Sequence, residues 1–77
     1  MVSTRRVVSL LNPEEKISHI ALEEECDLLA WVEGRTSVHM AHLDANGKLE
    51  LLGMFSSPHT ISFLSFHRSH LVVGDDI

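Results

Sequence analysis

The stretch ISFLSFHRSHLVVGDDI, residues 61–77, repeats an earlier one, ISHIALEEECDLLAWVEG, residues 17–34. Ile17 and Ser18 align with Ile61 and Ser62, and Ile20 and Leu22 with Leu64 and Phe66. Past a turn shorter by one residue, Leu28, Leu29 and Ala30 align with Leu71, Val72 and Val73. The offset is 44 residues before that gap and 43 after it. Ile17, Ile20, Ala21, Leu22 and Leu28 also match a loose helical spacing. The repeat decides against a helix. Residues 61–66 are rich in β-branched and aromatic side chains and read as a strand, so residues 17–22 and 28–32 read as strand, turn, strand.

Outward from this pair, Gly34 supplies a turn at positive φ, and TSVHMAHL, residues 36–43, reads as a third strand. Asp44, Ala45, Asn46 and Gly47 give the strongest hairpin signal, because Asn-Gly fits the primed two-residue turns that match strand twist. KLELLGMF, residues 48–55, returns as a fourth strand, and Pro58 sits in the loop that follows. Before the repeat, RRVVSLL, residues 5–11, reads as a strand stopped at Asn12 and Pro13. The rival there is a short helix, capped by Asn12 and begun at Pro13.

A period in the forties with short strands in each unit is the sequence mark of a propeller-blade repeat. The expected fold is therefore all-β: antiparallel four-stranded propeller-blade units, about one and a half blades plus a leading strand. Residues 1–16 form the leading strand and turn, 17–58 a complete unit, and 59–77 the first half of a second. The strands are more continuously apolar than a half-exposed sheet requires, as strands buried on both faces are.

A chain of 77 residues makes at most one small domain. A chain this short buries only about 60% of its unfolded surface. The usual staples are missing: Cys26 is alone, which excludes an internal disulfide, and no CxxC is present to hold zinc. The hydrophobic fraction, 44%, is too high for disorder. The sequence therefore predicts a core completed against other polypeptide. A net charge of −5, with no basic stripe, argues against nucleic acid. No apolar run reaches 18 residues, and no apolar leader follows Met1, so no membrane role is expected. A lone cysteine fits an intracellular setting, with cytoplasm and nucleus equally open.

ISFLSF followed by LVVGDD, and ISHIAL with LLAWVEG, resemble the first two strands of a WD-repeat blade, over residues 17 to 77. His59 resembles a displaced form of that family's Gly-His pair, with Pro58 in place of the Gly. The sequence departs where the family places Trp-Asp, at the end of the third strand. Ala41 and His42 stand there, which leaves the family's locking set of His, Asp and Trp missing or degenerate. The resemblance implies protein–protein recognition through the rims of a disc.

Several residue sets invite a chemical reading. His39 with His42, and His67 with His70, are HxxH pairs, and imidazoles from two segments could make a four-coordinate metal site. Residues three apart on a strand point to opposite faces, so His39 and His42 cannot share an ion without a bulge, whereas His67 and His70 fall in a turn. The commoner reading is surface histidines. Cys26 follows three glutamates, and nothing in the sequence places an orienting third residue beside it, so it is a poor candidate nucleophile. Glu23, Glu24, Glu25 and Asp27 fit a basic partner or, more commonly, a solvated turn. Asp75 and Asp76 are too few for a calcium cage, and their repeat equivalents, Val32 and Glu33, do not preserve the pair. Trp31 and Phe63 suit either core packing or a recognition anchor, core being the default.

No catalytic, cofactor-binding or metal residues are assigned, and no cofactor is expected. The expected function is a non-catalytic interaction or scaffold module. Its partners would be other proteins or further blades, from copies of the chain or a larger assembly. The rival is a free-standing small β-barrel or α+β domain that self-associates and binds a small ligand or metal through its histidines.

Overall fold

The computed structural model describes residues 16–75. The expected leading strand at residues 5–11, its helical rival and Asp76 lie outside the described residues. Six strands follow one another: β1 (Ile17–Glu23), β2 (Leu28–Glu33), β3 (Ser37–Leu43), β4 (Leu49–Ser56), β5 (Ile61–His67) and β6 (His70–Asp75). β1 to β4 form an antiparallel sheet in chain order, and β5 and β6 form a separate antiparallel pair. The fold is all-β. Among the described residues no helix is long and apolar enough to cross a membrane.

Local chemistry sets each turn. Gly34 and Arg35 both take positive φ, 60° and 68°, which reverses the chain between β2 and β3. Between β3 and β4 the expected primed Asn-Gly turn does not form. Only Gly47 takes positive φ, 81°, in a loop of three residues closed by Asp44 N–H donating to Lys48 C=O at 2.9 Å. The Asp44 carboxylate explains the choice: its Oδ1 accepts from Asn46 N–H and Lys48 N–H, both at 2.9 Å. An Asp capping its own loop favours the three-residue form, with glycine at the left-handed position.

Pairing places residues opposite one another in rows across the sheet, and each row belongs to one face. Ile20, Trp31, His39 and Met54 make one row, and Leu22, Leu29, Ala41 and Leu51 the next, both on the same face. His19, Val32, Val38 and Phe55 make a row on the opposite face. Each face carries a core. Leu29, Trp31 and Ala41 are buried on the first, with Ile17, Ile20, Leu22 and Leu49 packed around them.

On the second face Val32 and Val38 are buried against Ile61, with Leu64, Leu71 and Val73 completing the cluster. The β5–β6 hairpin therefore lies against the four-stranded sheet, with β5 alongside β1 and β2. Two backbone bonds fix the approach: Ser57 N–H donates to Thr36 C=O at 2.9 Å, and Ile61 N–H to Arg35 C=O at 2.7 Å. Each fully buried Val, Leu or Ile contributes about 1.5–3 kcal/mol, so this small interface is a main source of stability.

The structure corrects the alignment of the two hairpins. Both carry a bulge after the first residue of the first strand, at Ser18 and at Ser62. Beyond the turn, Leu22 pairs with Leu29 and Phe66 with Leu71, so Leu29, not Leu28, is the counterpart of Leu71. The offset is thus 42 in the second strand, because the turn is shorter by two residues rather than one. Asp75 consequently matches Glu33: each acid lies opposite the isoleucine that opens its hairpin.

Candidate functional site

The most developed polar arrangement lies on the first face of the sheet. Trp31 and Glu33 are two apart on β2 and share that face, while the register of β2 with β3 sets His39 opposite Trp31. The indole and imidazole rings stack with centroids 5.2 Å apart and planes 6° from parallel. Trp31 Nε1–H donates to Glu33 Oε1 at 3.1 Å. Glu33 Oε2 lies 3.3 Å from His39 Nε2, the two side chains being only 16% and 13% exposed. His39 Nε2 is buried and makes no hydrogen bond among the described residues.

A carboxylate withdrawn from water needs donors, and the indole N–H supplies one. The cluster ties β2 to β3, contains no nucleophile, and leaves one imidazole nitrogen without a full partner. Its parts were each visible in the sequence. What joins them is the three-residue turn at Gly34, Arg35 and Thr36, which fixes the register and so brings His39 to Trp31.

The expected sites distribute as follows. His39 and His42 point to opposite faces, since His39 opposes Trp31 and His42 opposes Leu28 on a regular ladder with β2. His67 and His70 form the last pair of the β5–β6 hairpin and are exposed on either side of Arg68 and Ser69. No group of three or more His, Cys, Asp and Glu gathers among the described residues. Cys26 is exposed in the β1–β2 turn with Glu24, Glu25 and Asp27. Trp31 is core, 7% exposed. Phe63 is not: it is 52% exposed, on the side of β5 turned away from Ile61 and Leu64. Asp75 accepts a hydrogen bond from Ser57 Oγ at 3.4 Å.

A shallow cleft of about 490 Å³ opens beside the start of β1, lined by Lys16, Ile17, Ser18, Gly34 and Arg35. Gly34 N–H is already committed to Lys16 C=O at 3.1 Å, so the backbone offers no free donor from that residue.

The class that this geometry defines is an all-β stack, a four-stranded meander with a second hairpin laid on its face. No family model matches the chain. No curated protein matches it either.

Proposed function

We propose that this chain is a non-catalytic protein-interaction or scaffold module built from WD-repeat-like propeller blades. One observation carries the reading: the two hairpins share the same bulge, and the second lies against the open face of the first unit. That is how successive blades sit, with their first strands side by side, and β5 does run alongside β1. The meander order of β1 to β4 fits one blade. A Trp, an acid and a His also meet inside that sheet, though from positions other than the family's Trp-Asp pair. A blade with apolar faces cannot cover them alone, which makes other polypeptide its natural partner.

The test is affinity capture of the full tagged chain from cells that express it, with and without a chelator, followed by reconstitution with the purified candidate. A stoichiometric protein partner retained in chelator is expected. Failure to hold any protein, together with tight, histidine-dependent zinc binding in a calorimetric titration, would overturn it.

A further inference from the structure

We infer that the outer edge of β4 docks a second copy of this chain, β4 against β4 and antiparallel, so that two four-stranded sheets become one. The inference needs only the sheet, not the blade reading. β4 pairs with β3 on one side and, among the described residues, with no strand on the other. The last strand of a sheet leaves a row of backbone N–H and C=O groups unpaired, and what fits such a row is another strand.

The side chains say which strand. Leu51 is 59%, Leu52 49%, Met54 64% and Phe55 50% exposed, all within the eight residues of β4. Leu51 and Met54 stand on one face of the sheet and Phe55 on the other. Open edges are ordinarily guarded by Lys, Pro, charge or a bulge. β4 holds no Lys, Arg or Pro, Glu50 is its one charge, and its one guard is the bulge at Leu52.

The strand that covers this edge is therefore apolar on both faces and nearly uncharged, and β4 of another copy is such a strand. Both halves of the contact are the same surface, and that surface is exposed as it stands. Pairing centred on Gly53 sets Glu50 against Ser56 of the other copy, which keeps the two acids apart. The remaining edges suit the role less. β1 and β5 lie alongside each other, and β6 exposes a single large apolar side chain, Val72.

Sedimentation velocity of the full chain from micromolar to millimolar concentration tests the inference, with Leu51→Lys, Met54→Lys and, as a control, Phe63→Lys. All three positions are exposed, and circular dichroism checks that each variant is folded. Hydrogen exchange at low and high concentration locates the contact.

Wild type is expected to double in mass and stop there, because an isologous contact closes on itself. Amides of β4 gain protection as the dimer forms, and those of β6 do not. Leu51→Lys and Met54→Lys should each weaken association by about tenfold or more, since each dimer carries the lysine twice. Phe63→Lys should leave it unchanged. A monomeric wild type at millimolar concentration, growth past two copies, a dimer indifferent to both β4 lysines, or one lost with Phe63→Lys would each overturn the proposal. A monomer that still captures a different protein would sink this inference and leave the proposed function standing. A dimer through β4 that captures none would uphold it while the proposed function fails.

Discussion

Ser18 and Ser62 are each the extra residue of a β-bulge, one in the first strand of each hairpin. A bulge bends its strand and tightens the local twist. Two hairpins bent at the same place have the same curvature, so the inner face of one fits the outer face of the other. Ile17 and Ile61, just before the bulges, are held opposite Glu33 and Asp75, which aims both isoleucines the same way. Only Ile61 is fully enclosed, 2% exposed, because it is the one with a sheet beneath it.

Ile61→Ala should therefore cost about 2–4 kcal/mol, since the cavity lies between two sheets that can close only partly. Urea denaturation followed by circular dichroism measures it. Hydrogen exchange on the same variant should show β5 and β6 losing protection before β2 and β3.

Glu33→Ala should destabilise by about 1–3 kcal/mol, because the buried Trp31 indole N–H loses its acceptor. Glu33→Gln keeps a carbonyl oxygen for that bond and should lose clearly less. Trp31 is the single tryptophan, so its emission reports the change directly: red-shifted in the alanine variant, near wild type in the glutamine one.

Gly47→Ala should destabilise the fold and Gly53→Ala should not. Neither new methyl group meets an atom within 4 Å, so space does not decide. Backbone does: Gly47 sits at φ +81°, where alanine costs about 1–2 kcal/mol. Gly53 lies within β4 at an ordinary φ, and alanine there should be neutral or stabilising by up to about 1 kcal/mol through the unfolded chain. Thermal melts of the two variants side by side suffice.

Asp44→Ala removes the acceptor of two backbone N–H groups in the β3–β4 loop. The loop is exposed, so water replaces part of what is lost and the cost should stay near about 1 kcal/mol. Amide exchange at Asn46 and Lys48 should quicken by roughly tenfold or less, with β1 and β2 unaffected.

The strands were readable in the sequence because their apolar, β-branched runs are separated by Gly, Pro, Asn and Asp. The six observed strands fall within a residue or two of those expected. The alignment slipped in the turn between the paired strands, where Glu24, Glu25, Cys26 and Asp27 stand against only Arg68 and Ser69. Turn length is not constrained by the core, and matching Leu28 to Leu71 looked as apolar as matching Leu29. The slip hid the correspondence of Glu33 with Asp75. The cluster at Trp31 escaped for a separate reason: it depends on the register of β2 with β3 rather than on any spacing along the chain. A strand position that would pack between blades makes core the default for Phe63; its 52% exposure follows from its lying on the face of the hairpin turned away from the sheet.

Every ladder among the described residues joins strands that are neighbours in the chain, so each closes over a short loop. Local pairings of this kind form early and quickly. The seating of Ile61, Leu64, Leu71 and Val73 on Val32 and Val38 is the event that spans the greater distance along the chain. Refolding is accordingly expected to divide into a fast zippering of hairpins and a later docking, which stopped-flow refolding would resolve. A lesion at Ile61 should then hasten unfolding while leaving the refolding rate nearly unchanged. The molecule's lifetime in the folded state should then respond most to substitutions at that seam.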